Sequence, residues 1–369
     1  MKILADENMP LVRELFAPYG EVTTVPGRNL RPEDVAQADA LLVRSITQVN
    51  RQLLDGSAVR FVGSATIGVD HIDLDYLQQR NITFSAAPGC NANAVVDYVC
   101  VALCSLRLDW QQLCASQKIV GIIGCGNVGG RLYRRLKKLG ASVRCYDPFL
   151  DAEQNSDLTS LEAVLGSDIV CLHTPHTRSG PFPTHHMLST EQLAQLPQDA
   201  ILINAGRGAA IDNQALLRLL EQRNDLRVVL DVWENEPGIS LPLLQKVTLA
   251  TPHIAGYSVQ GKCNGTAMVR DAFLRWLGEP AVPETEQGGT MEVSASSIGD
   301  AVGQVYDVAA DDRRMREQLT QPGAALAFDC LRKEYPPRHE FHRYRLTGQG
   351  LSEFDRRVLG VFGFLELSS

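Results

Sequence analysis

A parallel, doubly wound α/β architecture is the fold class this 369-residue chain predicts, and three observations predict it. Short β-branched runs alternate with helical patterns over most of the chain, six of these runs lie between residues 118 and 252, and a glycine-rich turn follows the first of the six. The composition agrees with a folded, acidic protein. It is 44% hydrophobic and 21% charged, and 35 Lys and Arg against 43 Asp and Glu leave a net charge of -8. This argues against disorder and against a general nucleic-acid coat, so any phosphate-bearing partner must be held by a local cluster of donors.

In chain order, KILA (2–5) reads as a strand, PLVRELFAPYG (10–20) as a helix closed by Gly20, and ALLVRS (40–45) and VRFVGSA (59–65) as further strands of a first lobe. Asn91 opens a helix through NANAVVDYVCVALCSLRL, about five turns long. Its apolar part, Val95 to Leu108, is 14 residues long and carries Asp97, too short and too polar for a membrane span. Asp6 and Glu7 stand where an export signal needs an apolar core. The expected compartment is therefore the cytoplasm, with no membrane partner. Nine cysteines without C-x-x-C or finger spacing read as reduced, buried thiols, and the histidines find no metal-ligand spacing, so no metal is expected.

The second lobe opens at KIVGIIG (118–124) and continues through ASVRCYD (141–147), DIVCLHT (168–174), AILINA (200–205), RVVLDV (227–232) and VTLATP (247–252). A helix from about Gly261 to Leu277 follows, then GEPAVPETEQGG, whose Pro, Gly and Glu content marks a linker to a last small unit.

The turn after the first strand of this lobe is Gly124-Cys125-Gly126-Asn127-Val128-Gly129, leading into the helical pattern GRLYRRLKKLG. In that context the first glycine permits the bend and the second lets a pyrophosphate approach. The third lets helix and strand pack closely, and the helix N-terminus offers unpaired N–H groups. Asp147, 18 residues after Gly129 at the end of the next strand, is placed to accept from both ribose hydroxyls and to repel a 2′-phosphate, which favours NAD over NADP. Arg144 on the same strand leaves some tolerance for that phosphate.

Three segments place chemistry just beyond predicted parallel strands, the edge where open α/β sheets bind ligands. Arg207, between two glycines in INAGRG, suits a planar carboxylate gripped by two parallel bonds. His253, in TPHIAG, is a candidate general base, and Glu236, in DVWENEP, is placed to fix its tautomer. Each residue alone also fits an ordinary structural role.

Taken in order, these four motifs resemble the D-isomer-specific 2-hydroxyacid dehydrogenases over residues 1 to about 280. The resemblance implies that Arg207 binds the substrate carboxylate, His253 takes the hydroxyl proton and Glu236 orients His253. It implies a Rossmann-type NAD domain (93–256) inserted in a flavodoxin-like α/β substrate domain (1–92 and 257–280), followed by a small C-terminal α+β dimerisation domain (281–369). MKILADENMP, GSATIGVDHID (63–73) and SAAPGCNANAVVDYV (85–99) point within that family to a phosphorylated hydroxy acid as substrate and to a homodimer. By the same resemblance Ser45, Thr66 and Tyr257 contact substrate, and Asp147, Thr174, Ala205, Arg207, Asp231 and Gly256 contact NAD.

For the phosphate itself, Arg44 beside Ser45 is the first candidate. A second is the basic run 331–345, with Arg332, Lys333, Arg338, Arg343 and Arg345 against Glu334 and Glu340, which reads more simply as a solvated or interface face. Two other functions stay open: a dehydrogenase of the phosphoglycerate or glycerate type, and a non-catalytic NAD-sensing binding protein.

Overall fold

The computed structural model describes residues 1–151, 153, 155–280, 289–320, 323–347 and 350–366. The chain divides into two compact units, residues 1–91 with 258–288 and residues 92–257 with 289–369.

In the first unit, strands β1 (Lys2–Asp6), β2 (Glu21–Val25), β3 (Ala40–Val43), β4 (Phe61–Ser64) and β5 (Thr83–Ser85) form one parallel sheet in the order β2-β1-β3-β4-β5. This is the flavodoxin-like order. β3 and β4 are buried throughout, as their continuous apolar runs require. The edge strands β2 and β5 escape the sequence reading: EVTTV is half-exposed and TFS is three residues long, so neither carries a strong apolar signal. The helix Val259–Leu277 is capped by Ser258, whose Oγ accepts from the Gly261 amide at 2.8 Å. It covers this sheet through Phe273, whose ring centre lies 5.3 Å from that of Phe61 and 5.4 Å from that of Phe16.

The second unit holds six parallel strands, β6 (Ile119–Ile123), β7 (Ser142–Tyr146), β8 (Ile169–Leu172), β9 (Ile201–Asn204), β10 (Arg227–Leu230) and β11 (Leu249–Ala250), in the order β11-β10-β9-β8-β6-β7. A single parallel bridge from Leu158 to Cys145 adds a residual rung outside β7. Counting that rung, the sheet reads as a Rossmann arrangement with its direction switch between β6 and β8.

The helix begun at residue 92 runs to Ser105, four turns rather than five, and Arg107 beyond it takes a left-handed φ of 56°. Its acidic residue is accounted for. Asp97 pairs with Arg135 at 2.7 Å and accepts from the Phe341 amide at 2.9 Å, so a buried carboxylate is satisfied on both sides. Among the described residues no helix is long and apolar enough to cross a membrane.

The C-terminal segment is α+β: strands β12 (Met291–Ser294) and β13 (Tyr344–Thr347) pair in parallel, with helices Ile298–Val305, Val308–Leu319, Ala324–Lys333 and Glu353–Phe362 around them. Where its sequence suggests a unit apart, its packing joins the second unit. Val302, Tyr306, Phe341 and Phe362 share one core with Tyr98, Val101, Trp110 and Leu139, and the Trp110 and Phe362 rings meet edge to face at 5.0 Å. Linker composition marks where the chain leaves the first unit and carries no information about which apolar surface the following helices cover. Most of that linker, 281–288, lies outside the described residues.

Candidate active site

The glycine turn bends at Gly124, with φ 86°, and the helix Asn127–Leu139 begins at once behind Gly126. The two later glycines are needed for different reasons. A Cβ on Gly129 would lie 1.9 Å from the Gly124 carbonyl oxygen, whereas a Cβ on Gly126 would meet nothing within 4 Å. The third glycine is thus demanded by packing, and the second opens onto space at the N-terminal end of a helix, beside exposed Asn127 and half-buried Val128.

Asp147, at the end of β7, accepts from the Cys125 amide at 2.9 Å and from the Phe149 amide at 3.1 Å. Its carboxylate therefore stands against the glycine turn. Arg144 on the same strand donates from Nη1 to the Ala163 carbonyl at 2.9 Å.

Directly beyond β8, the Thr174 hydroxyl and both ring nitrogens of His173 are shut off from water, with no hydrogen-bond partner among the described residues. Burial pushes the His173 pKa down to about 4, so its ring is neutral. Unpaired buried donors and acceptors beside an open glycine turn are what a dinucleotide would satisfy, so the residues present fit NAD.

Arg207 follows β9 and is half-buried, its Nη1 donating to the Gly206 carbonyl at 2.9 Å. The fully buried Asn204 fixes the turn: its Nδ2 donates to the Arg207 carbonyl at 3.0 Å and its Oδ1 accepts from the Gly206 amide at 3.1 Å. The flanking glycines do more than leave room for a guanidinium. A Cβ on Gly208 would lie 2.0 Å from the Trp233 carbonyl, so the residue is small because the next strand end passes against it. Ala205, on the same turn, is half-buried.

His253 sits in the left-handed region, with φ 57°, its amide donating to the Asp231 carbonyl at 2.7 Å. Its Nδ1 lies 2.7 Å from Glu236 Oε2, and Glu236 Oε1 accepts from the Trp233 amide at 2.8 Å. Burial pushes the Glu236 pKa up, but the facing His253, the Trp233 amide and the charge of Arg332 outweigh it and hold the carboxyl below its ordinary value. An ionised carboxylate only accepts, so Nδ1 carries hydrogen and Nε2 is left to take a proton.

The loop behind the imidazole is clamped from two sides. Asp231, 1% exposed, accepts from the Ile254 amide at 2.8 Å, the Ala255 amide at 3.0 Å and the Thr251 hydroxyl at 2.7 Å. Arg338 donates from Nη2 to the carbonyls of the same two residues, Ile254 and Ala255, and lies 4.3 Å from the centre of the Tyr306 ring.

For Arg338 the solvated-face reading of the basic run is corrected. The residue is only 8% exposed, its charge met by carbonyl dipoles and aromatic faces, a placement a count of charges along the sequence does not reveal. The sequence does not single out Asn204 or Thr251 either. Both stand inside the motifs quoted above, but nothing local distinguishes a clamp from a spacer.

The remaining expected residues are placed as follows. Tyr257 is half-buried, its ring edge to face with Tyr335 at 6.0 Å, and Gly256 before it is half-buried. In the first unit, half-buried Arg44 and exposed Ser45 follow β3, and Thr66 follows β4, bonding the Ser64 hydroxyl at 2.8 Å and the Gly68 carbonyl at 3.1 Å. His186, Asp212 and Glu234 bring metal-ligating atoms within 4.8 Å of one another. Those carboxylates are already engaged, Glu234 with His186 and the Asn213 amide, Asp212 as the cap of the helix Asn213–Gln222.

Residues 106–255 match the family model for the D-isomer specific 2-hydroxyacid dehydrogenase, NAD binding domain, and residues 276–359 match a domain of unknown function, DUF3410. The chain is 51% identical to the erythronate-4-phosphate dehydrogenase of Cellvibrio japonicus, over 99% of each chain. It is 48% identical to that of Teredinibacter turnerae, over 94% of this chain and 95% of the relative. Among solved structures it is similar in fold to an NAD+-bound 3-phosphoglycerate dehydrogenase from Entamoeba histolytica, with TM-score 0.62 and 23% identity over 75% of this chain and 95% of the other.

Proposed function

Since the chain belongs to the D-isomer-specific 2-hydroxyacid dehydrogenase family, alongside its erythronate-4-phosphate dehydrogenases, we propose that it oxidises 4-phospho-D-erythronate to 2-oxo-3-hydroxy-4-phosphobutanoate. In that role it would serve the formation of pyridoxal 5′-phosphate in the cytoplasm, as a homodimer joined through its C-terminal segment. The chain is an NAD-dependent oxidoreductase, and NAD when bound supplies the acceptor for the two electrons and the hydrogen lost from C2.

The chain's own residues supply the rest. Arg207 grips the substrate carboxylate, which fixes the C2 hydroxyl before His253. His253 Nε2 removes the hydroxyl proton, and Glu236 stabilises the imidazolium so formed, already in contact with Nδ1 at 2.7 Å. Asp147, Gly126 and the first turn of the helix behind it hold the ribose and pyrophosphate, with Thr174, Ala205 and Gly256 completing the cofactor contacts and Asp231 serving them through the loop it holds. Ser45, Thr66 and Tyr257 contact substrate, and Arg44 contributes to the phosphate.

The observation that carries this reading is the oriented His253–Glu236 pair on the same sheet edge as the open glycine turn. The test is incubation with 4-phospho-D-erythronate or, separately, 3-phospho-D-glycerate. NAD and a 2-oxo acid that reoxidises bound NADH are supplied, and the oxo-acid products are measured. Product from the erythronate ester alone supports the reading. Product only from phosphoglycerate keeps the chemistry and changes the substrate, and product from neither overturns both.

A further inference from the structure

The C-terminal segment brings a second arginine to the catalytic edge. Arg332 lies in the last turn of the helix Ala324–Lys333, its guanidinium carbon 5.9 Å from the centre of the Tyr257 ring, and it bonds the Tyr257 side chain. Tyr257 closes the loop that carries His253, and the charge of Arg332 helps hold the Glu236 carboxyl below its ordinary value. Yet the two carboxylates of that loop are committed, Glu236 to His253 and the Trp233 amide, Asp231 to the loop amides and Thr251.

Arg338 a few residues on spends its charge on the Ile254 and Ala255 carbonyls. Arg332 differs. Its Nε is shut off from water without a hydrogen-bond partner among the described residues, and none of their carboxylates forms an ion pair with it. A largely desolvated guanidinium with no carboxylate in direct contact is costly, and its fork matches phosphate oxygens two at a time.

We propose that Arg332 binds the phosphate group of the substrate, opposite the carboxylate end held by Arg207. This rests on the function proposed above, and it assigns to the C-terminal segment a direct part in choosing the substrate.

The test compares wild type with R332Q and R332K on 4-phospho-D-erythronate and on unphosphorylated D-erythronate. It also titrates inorganic phosphate into each protein by calorimetry. In R332Q the preference for the ester, as a ratio of kcat/KM values, is expected to fall by about tenfold or more through KM, with R332K between. Phosphate affinity should fall alongside.

Equal losses on both substrates, or a displaced pH profile of kcat, would assign Arg332 to the support of Glu236 and overturn the proposal. So would unchanged phosphate binding, or a change in sedimentation with phosphate binding intact, which would make the residue part of a subunit interface. If wild type does not turn over the ester, the function proposed above fails, and the phosphate titration still decides the role of Arg332.

Discussion

The glycine turn at 124–129 and the histidine loop at 253–256 occupy ends of strands in the same sheet, yet they are held in opposite ways. The glycine turn is nearly self-sufficient: its shape follows from φ 86° at Gly124, the absent Cβ at Gly129 and one bond from Cys125 to Asp147. The histidine loop has a bend of its own, φ 57° at His253 with the Tyr257 amide donating to the Ile254 carbonyl at 2.8 Å, but its groups are aimed from outside. Asp231 holds its amides, Arg338 its carbonyls and Glu236 its imidazole, and these come from as far as 85 residues away in the chain. A cofactor site can be written locally because it is mostly backbone, whereas an acid–base group must be aimed, and aiming recruits distant chain.

The sharpest way to test the division is to remove the aimed group. His253→Ala should lower kcat by about 10²- to 10⁴-fold while the Kd for NAD, measured by fluorescence titration, stays close to wild type. Comparable losses in both would mean that the two turns are one functional unit.

Next in size is the clamp. Arg338→Met deletes the donor to the Ile254 and Ala255 carbonyls and leaves them buried, at about 1–3 kcal/mol for each unsatisfied group. Lower Tm and a kcat loss larger than the KM change are expected. A variant with lowered Tm and unchanged kcat would show that the loop keeps its aim without the C-terminal segment.

Legibility in the sequence divides along the same line. Six strands of the second unit, the glycine turn, Asp147, Arg207, Glu236 and His253 were all visible, because each is signalled by a short apolar run or by a residue at its end. Arg338 is visible only as a charge in a basic run, which points to solvent, since its carbonyl and aromatic partners lie far away in sequence. Asn204 and Thr251 gave no signal, for a polar residue inside a motif looks the same whether it clamps a turn or merely occupies it. The edge strands β2 and β5 were lost for the converse reason, half-exposure having erased the apolar pattern.

The local turn can be broken in two separable ways. Gly129→Ala forces a Cβ to within 1.9 Å of the Gly124 carbonyl oxygen and should lower stability, read as a drop in the denaturation midpoint. Gly126→Ala meets no protein atom within 4 Å, so the midpoint should hold while NAD binding weakens by about tenfold, the methyl group taking space that the pyrophosphate needs. If Gly126→Ala binds NAD normally, the opening at that glycine is not where the pyrophosphate lies.

The smallest expected effect concerns the two carboxylates of the histidine loop, which are displaced in opposite directions. Burial raises Asp231, with the nearby histidine and its hydrogen bonds only partly offsetting it, while for Glu236 the facing His253 and the Trp233 amide overcome burial and lower it. A lowered carboxyl contributes stability that is present above its unfolded value, near about 4.3 for glutamate, and that is lost as pH falls through the folded value. Wild type should therefore exceed Glu236→Gln in unfolding free energy at pH 6, with the gap closing toward pH 3 in denaturant titrations. A gap that widens on acidification would mean that Glu236 is held protonated, and a carboxyl that can also donate would no longer fix the hydrogen on Nδ1 and leave Nε2 as the base.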